Sequence, residues 1–141
     1  MTSHGKMAGM SLPRHVLTIL ADTDLGRAAR FYADAFGWPR VVEVPVYVEH
    51  ELPGGMRLGL YDRAGFARNT GTTPTEVAAS AITATEIYLH TDDLDGAVAR
   101  LEAAGARLLS PRAPRDWGDE AAYYTDPDGN VLVVARPIAQ G

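Results

Sequence analysis

The segment DLGRAARFYADAFGW, residues 24–38, carries the clearest structural pattern of this chain. From Leu25 onward its apolar side chains recur at i, i+3, i+4, i+7 and i+10, the spacing of a helix with one buried face. Asp24 stands before the first turn, where a carboxylate accepts free backbone N–H groups, and Gly37 follows the last turn, where a left-handed residue ends a helix. The stretch therefore predicts an amphipathic helix with a defined beginning and end.

The same pattern returns 69 positions later. A second run of apolar residues with these offsets begins at Leu94, directly after Asp92 and Asp93, and is followed by Gly105. Aspartates placed just before a helix favour capping over metal binding, because their carboxylates satisfy the first backbone N–H groups. The repeat predicts a second helix with the same beginning and end.

Short strands surround each predicted helix. They are rich in β-branched and aromatic residues and are bounded by turn-forming residues, including the turn DPDG at residues 126–129. The repeating unit is one strand, a helix and three further strands, and it occurs twice in the sequence. In the first half the predicted strands are residues 16–21, 41–44, 47–52 and 56–61, and in the second half they are residues 86–91, 107–109, 120–125 and 130–135.

This repeat predicts one α+β domain built from two βαβββ modules. Residues 13–62 form the first module and residues 84–138 the second. Residues 63–83 are rich in small and turn-forming residues and are predicted to be a surface linker. Residues 1–12 lack the apolar segment of a signal peptide and are predicted to be a disordered leader.

The composition excludes several classes of function. The 141 residues include 13 basic and 18 acidic side chains, and the resulting net charge of −5 argues against a general nucleic-acid binder and against binding to an anionic membrane. The chain has no cysteine, which excludes disulfides, Cys-ligated metals and a thiol nucleophile, and which fits a reducing cytoplasm. No apolar run approaches the roughly 20 residues that cross a bilayer. We expect a cytoplasmic protein with no nucleic-acid or membrane partner.

The tandem repeat resembles the vicinal oxygen chelate superfamily, which includes glyoxalase I, extradiol dioxygenases, fosfomycin-modifying enzymes and bleomycin-resistance proteins. The most specific matching segments are residues 24–38 and the closing YTDPDGN at residues 124–130. The resemblance implies that eight strands curl into a half-open mixed β-barrel that holds a ligand on its concave face. It also implies a homodimer, formed either from two complete barrels or by exchange of modules between chains.

Enzymes of this family hold one divalent metal on the concave face, at positions on the first and last strands of each module. Carried onto this sequence, the resemblance implies Leu17, Gly59, Glu86 and Val133. Only Glu86 has a metal-binding side chain, whereas a catalytic divalent site usually has three protein ligands. A shift of one or two residues in the first strand would bring His15 to the first position instead. The expectation is a cavity without a metal or another cofactor.

Strand alternation assigns polar side chains to the cavity face, because successive strand residues point to opposite sides. Residues 110–119 are predicted to be a long irregular loop, and Trp117 within it is expected either to cover the cavity or to pin the loop. The resulting wall of aromatic and charged groups suits a polyfunctional ligand. The predicted ligand-binding residues are Tyr47, Glu49, Arg57, Tyr61, Glu86, Tyr88 and Trp117.

Two residues are candidates for acid–base catalysis. Glu86 is one, with an ion pair to Arg57 or another arginine as its alternative role. His90 is the other, because an unperturbed histidine exchanges protons near neutral pH, with an exposed or capping histidine as the alternative. His50 lies on the apolar face of its strand, and we expect it to be a hydrogen-bonded core or interface residue.

The leading hypothesis is a metal-independent protein that binds a small organic molecule, an antibiotic or a metabolite, in the concave pocket. The net negative charge and the acidic wall favour a cationic or amphipathic ligand. The alternative is a metal-dependent lyase, isomerase or dioxygenase that uses Glu86 or His90 as acid or base. A third possibility is a structural or regulatory homodimer module without a ligand.

Overall fold

The helices and strands follow the order that the repeat predicts. The computed structural model describes residues 11–139, so the first ten residues of the predicted leader lie outside the described part. The elements are β1 (Leu17–Asp22), α1 (Leu25–Phe36), β2 (Arg40–Val44), β3 (Tyr47–Glu51), β4 (Arg57–Asp62), α2 (Arg63–Thr70), β5 (Glu86–His90), α3 (Leu94–Ala103), β6 (Arg107–Pro114), β7 (Asp119–Thr125) and β8 (Val131–Pro137).

The eight strands of the described residues form two four-stranded mixed sheets with the same topology. The strand order is β1-β4-β3-β2 in the first sheet and β5-β8-β7-β6 in the second. In each sheet the first strand pairs in parallel with the last, and the other pairs are antiparallel. The α+β class and the tandem βαβββ repeat are therefore confirmed. In consequence β1 and β5 each lie at one edge of a sheet.

The helix caps form as the sequence predicts. The carboxylate of Asp24 accepts a hydrogen bond from the backbone N–H of Arg27 at 3.1 Å, and Gly37 ends α1 with a φ of 68°. The carboxylate of Asp93 accepts from the backbone N–H of Gly96 at 2.9 Å. These local contacts fix where both helices begin and where α1 ends.

The two long helices lie between the two sheets. α1 contacts α3, and α1 also packs on β3 and β4 while α3 packs on β8. Alternate strand residues, among them Leu58 and Leu60 of β4 and Leu132 and Val134 of β8, join the helices in one apolar core. Trp38 belongs to this core, as predicted. Because each sheet packs one face on the helices, the opposite faces of both sheets point away from the helix layer.

Hydrogen bonds from the turn between β7 and β8 join the two modules. The hydroxyl of Tyr32, which is fully buried on α1, donates to Asp126 at 2.7 Å, and the backbone N–H of Thr23 donates to Asp128 at 3.0 Å. Asp126 also accepts bonds from the backbone and the side chain of Asn130. The predicted turn therefore also attaches the second module to the first.

The linker prediction for residues 63–83 is incomplete, because Arg63–Thr70 form the helix α2. Asp62 caps this helix by accepting from the backbone N–H of Gly65 at 2.7 Å, and Gly71 ends it with a φ of 76°. Gly65 is the one buried residue of α2. The segment consequently has no apolar stripe from which a helix could be predicted.

The prediction of a loop over residues 110–119 is wrong for much of its length. β6 continues to Pro114 and pairs with β7, with register shifts along the way. β6 is an edge strand, where a proline does not interrupt a ladder on both sides, so Pro111 and Pro114 are tolerated. The connection to β7 is reduced to residues 115–118. None of the helices in residues 11–139 is long and apolar enough to cross a membrane.

Candidate functional site

A polar cluster occupies the outer face of the first sheet. The hydroxyl of Tyr47 donates a hydrogen bond to Glu49 at 2.6 Å, and the guanidinium of Arg57 donates to the same carboxylate at 2.7 Å. These two bonds, with that from Tyr47 the larger cause, lower the pKa of Glu49 from its ordinary value. Burial, followed by the bond to Glu49, raises the pKa of Tyr47. Glu49 is therefore a carboxylate held in its ionised form.

Gly59 allows this cluster to form. A Cβ atom at this position would lie 2.3 Å from the hydroxyl oxygen of Tyr47, far inside van der Waals contact. Gly59 pairs with Glu49 across β3 and β4, so the ring of Tyr47 lies over the glycine on its way to that carboxylate. Tyr61, opposite Tyr47 in the same register, makes an edge-to-face contact with its ring at 5.3 Å. All four residues predicted on these strands are thus adjacent.

A second polar cluster occupies the outer face of the second sheet, around Asp119. The hydroxyl of Tyr88 donates to Asp119 at 2.6 Å, and Nε2 of His90 lies 3.0 Å from the same carboxylate oxygen. The indole N–H of Trp117 donates to the hydroxyl of Tyr88 at 2.8 Å. Asp119 is buried, and the bond from Tyr88 and then that from His90 lower the pKa of its carboxyl group. The structure therefore brings together three residues that the sequence singled out, Tyr88, His90 and Trp117.

Asp119, which joins Tyr88 and His90, is a member of this cluster that the sequence did not single out. The predicted loop over residues 110–119 ends at Asp119, whereas Asp119 is the first residue of β7. A signal was available, because it lies two positions before Ala121 and four before Tyr123, and all three share one face of β7. Had the strand been extended by one residue, alternation would have directed Asp119 to the cavity face.

Trp117 contributes to this cluster from the short connection between β6 and β7. Its side chain is 54% exposed, so the indole does not pin the turn by burial. Arg115 fixes the same connection instead, since it donates to the carbonyls of Pro111 and Ala121 and stacks over the ring of Tyr123 at 5.0 Å. A Trp held by one hydrogen bond on a fixed turn is well placed to contact a ligand.

Glu86 is exposed at the start of β5 and makes no ion pair or hydrogen bond through its side chain within residues 11–139. The alternative of a pair with Arg57 is wrong, because Arg57 pairs with Glu49 on the other sheet. The charge of Glu86 adds to burial in raising the pKa of Tyr123. Glu86 is thus a carboxylate on the second face without a protein partner in the described residues.

The two clusters do not meet within one chain. They lie on the outer faces of different sheets, and the helix layer separates those sheets. The hydrogen bonds and ion pairs of Tyr47, Glu49 and Arg57 stay within the first sheet, and those of Tyr88 and Asp119 stay within the second sheet and its β6–β7 connection. Within one chain, the predicted ligand-binding residues are therefore divided between the outer faces of two sheets.

The residues at the four family metal positions do not make the family's donor set. Gly59 offers no ligand, and the ring of Tyr47 fills the space in which a side chain would project from it. Val133 is fully buried among the apolar residues of the second sheet, and Leu17 is aliphatic, so only Glu86 carries a donor. Within residues 11–139, no group of three or more His, Asp or Glu side chains has a geometry suited to a metal ion.

His50 and His15 are the other two histidines within residues 11–139, and His50 lacks the hydrogen bond that the sequence predicts. His50 is completely buried beside Tyr32, yet neither ring nitrogen has a hydrogen-bond partner within residues 11–139, so the expected hydrogen-bonded core histidine is wrong in that detail. Burial lowers the pKa of His50, with the charge of Arg40 as a smaller cause. His15, the alternative metal position, is exposed and lies 2.9 Å from the hydroxyl of Thr18.

Together these features define a tandem βαβββ protein with a helical centre and a polar cluster on the outer face of each sheet. The chain belongs to the Glyoxalase/Bleomycin resistance protein/Dioxygenase superfamily, whose family model matches residues 13–134. No curated protein matches the sequence.

Solved structures of the same family are similar along nearly the whole chain. A glyoxalase-related enzyme from Fulvimarina pelagi has 25% identity and a TM-score of 0.78, over 89% of this chain and 88% of that chain. A glyoxalase/bleomycin resistance protein/dioxygenase from Nocardioides has 24% identity and a TM-score of 0.78, over 99% and 93%. A lactoylglutathione lyase from Agrobacterium tumefaciens has 25% identity and a TM-score of 0.67, over 89% and 95%.

Proposed function

We propose that this protein binds a small organic molecule in a pocket built by two chains, without the catalytic metal of its family. The observation that carries the proposal is the outward direction of the two polar clusters. Each cluster is half of a ligand-binding wall, and the first-sheet cluster of one chain must face the second-sheet cluster of another to enclose a ligand.

The free edges of the sheets support this dimer. β1 and β5 are edge strands, and each leaves one row of backbone N–H and C=O groups without a strand partner in its sheet. Apolar side chains beside these edges are exposed, with Val16 at 54%, Ile19 at 36% and Tyr88 at 37%. If β1 of one chain lies alongside β5 of its partner, the outer faces of the two sheets become continuous. The pocket is then shared, as in an exchange of modules.

The side chains of the combined wall favour a cationic or amphipathic ligand with an aromatic part. Arg57 is neutralised by Glu49, whereas Glu86 is an exposed carboxylate without a protein partner in the described residues. Tyr61, Tyr88 and Trp117 offer aromatic faces, and a cation over such faces is attracted by their quadrupoles. Sequestration of such a molecule needs no reacting group.

A second candidate function is acid–base catalysis by His90. Its Nε2 faces the carboxylate of Asp119, and its side chain is 55% exposed, so Nδ1 is available to a bound molecule. A histidine oriented by a carboxylate is a common general base. This arrangement favours a lyase or isomerase reaction that begins with proton abstraction, carried out by protein side chains.

The shared pocket can be tested by complementation with N-methylacridinium, an aromatic cation, as the probe. Glu49→Gln and Tyr88→Phe each damage a different half of the pocket. A heterodimer of the two variants, isolated with two different affinity tags, has one intact pocket and one doubly damaged pocket. We expect this heterodimer to bind the probe more tightly in calorimetry than either variant homodimer. A monomeric protein, or a heterodimer no better than its parents, would contradict a shared pocket.

Metal analysis tests the other half of the proposal. We expect protein purified without chelator, and then incubated with Zn²⁺, Mn²⁺, Ni²⁺ or Fe²⁺ and desalted, to retain far less than one equivalent per chain. Retention of about one equivalent, lost in Glu86→Gln but not in Glu43→Gln on the other sheet, would show that a metal site of different composition exists. The metal-dependent alternative would then replace the present proposal.

A further inference from the structure

A cleft of about 360 Å³ lies where the two modules meet, on the helix side of the second sheet. One wall comes from the first module, with Phe36 and Trp38 around the end of α1 and Leu52 and Pro53 at the end of β3. The other wall comes from the second module, from β5, α3 and β8. The volume is near the lower limit of sites for small molecules, so it suits a compact ligand of one or two rings.

The apolar lining of the cleft is largely aromatic on one side. The rings of Phe36 and Trp38 are stacked with their centroids 4.3 Å apart and their planes 11° from parallel. Gly37 allows this stack, because its left-handed φ of 68° turns the chain sharply between the two aromatic residues. Leu89 and Val134 line the facing wall. The lining therefore favours an apolar, planar group over a sugar or a peptide backbone.

The lining of the cleft contains no acidic side chain. Arg100 of α3 is the one Arg or Lys side chain among the lining residues, and none of them is Asp or Glu, although the chain has a net charge of −5. Arg100 is exposed and forms no ion pair within residues 11–139. A guanidinium beside an apolar cleft is suited to a carboxylate, to which it donates charge-assisted hydrogen bonds.

We infer that this cleft is a second binding site, one that takes a small aromatic carboxylate. The ring system of the ligand lies against Phe36 and Trp38, and its carboxylate lies at Arg100. This ligand has the opposite charge to the molecule proposed for the outer faces, and the cleft lies on the helix side of the second sheet, with Leu89, Ala97 and Val134 in its lining. The two sites share His90 and Tyr88, and a ligand in the cleft contacts the residues that hold Asp119.

Titration with 1-naphthoate tests the second site. The chain has two tryptophans, so a ¹H–¹⁵N correlation spectrum of ¹⁵N-labelled protein shows two indole N–H signals. We expect 1-naphthoate to shift the indole signal of Trp38 more than that of Trp117, which is linked to the cleft only through the hydroxyl of Tyr88. We also expect 1-naphthylmethylammonium, which has the same rings and the opposite charge, to bind at least tenfold more weakly.

Matched variants separate the roles of charge and position. Arg100→Gln should weaken 1-naphthoate binding about tenfold in calorimetry, because it removes a hydrogen bond to a charged group. Arg30→Gln on α1 is the control, since Arg30 lines a different cleft. This variant should bind 1-naphthoate as tightly as the unchanged protein. Glu49→Gln, which damages the pocket of the outer faces, should also leave this affinity unchanged. No shift of Trp38, or equal affinity in Arg100→Gln, would overturn the inference.

Discussion

The carboxyl group of Asp22 lies within hydrogen-bonding reach of the carboxyl group of Asp128, and both are at the junction of the two modules. Asp22 is fully buried, and neither of its oxygens has a hydrogen-bond donor within residues 11–139. One oxygen of Asp128 is buried and without a donor as well, while its other oxygen accepts from the backbone of Thr23. Two carboxylates in this position repel each other unless a proton lies between them.

Burial and then the carboxyl group of Asp128 raise the pKa of Asp22 from 3.8 to about 10. The folded protein holds this proton over that whole range, whereas the unfolded chain releases it near its ordinary pKa. The stabilising contribution is therefore complete below about pH 4 and is lost as the pH rises towards 10. Asp126 adds to the effect and the charge of Arg27 opposes it.

Asp22→Asn should therefore raise the free energy of unfolding in alkaline solution. An amide takes up no proton on folding and can donate to Asp128, so the variant avoids the loss of stability that the parent undergoes between about pH 4 and pH 10, and we expect its gain to grow by ~1 kcal/mol per pH unit from pH 5 to pH 9. Urea denaturation at both pH values measures the difference. The control is Asp24→Asn, because asparagine caps α1 as well as aspartate does. A variant that is less stable than the parent at pH 9 would refute the shared proton.

Through His50, the protein should lose stability in the opposite direction, as the pH falls. Burial lowers its pKa in the folded protein, so the unfolded chain takes up a proton first as the pH falls. The free energy of unfolding should thus decrease from about pH 7 to pH 5 through this residue. His50→Leu should remove that part of the decrease, as measured by denaturant midpoints at a series of pH values. His15→Asn, at an exposed position, is the control for the loss of one histidine.

The fold could be predicted because its decisive signals are local. The apolar spacing of residues 24–38, their return from Leu94 and the turn at residues 126–129 each depend on neighbours in sequence. α2 lacked such a signal, since it buries no apolar stripe, and the length of β6 was hidden by prolines that only an edge strand tolerates.

The site could be predicted only in part. Strand alternation predicts on which face of a sheet a side chain lies, but not which other residues it contacts. Alternation was enough to group Tyr47, Glu49 and Arg57, which lie on paired strands. It could not show that the helix layer separates them from Tyr88, because two modules can pack with either face inward. The contact between Asp22 and Asp128 depends on this packing as well, and no sequence pattern anticipates it.

Gly59→Ala should destabilise the protein through Tyr47. The added methyl group would lie 2.3 Å from the Tyr47 hydroxyl, so the ring must move and its bond to Glu49 must break. We expect a loss of ~1–3 kcal/mol, as for other overpacked sites. In a Tyr47→Ala background the same substitution should cost much less, because the obstructing ring is gone. Equal losses in both backgrounds, measured by thermal and urea unfolding, would point to the backbone instead of the ring.

Tyr88→Phe should raise the pKa of Asp119 towards its ordinary value. The Tyr88 hydroxyl is the first cause of the lowered pKa and His90 the second, so the variant removes the stronger donor and leaves the weaker one in place. A ¹³C NMR titration of the aspartate side chains measures this change directly. Tyr61→Phe is the matched control, because Tyr61 lies on the other sheet.

Tyr88→Phe also removes the acceptor of the Trp117 indole N–H, so the Trp117 signal should broaden or shift together with that of Asp119. If the pKa of Asp119 stays low while Trp117 is released, His90 alone holds the carboxylate. Tyr88 would then orient the tryptophan rather than the Asp–His pair.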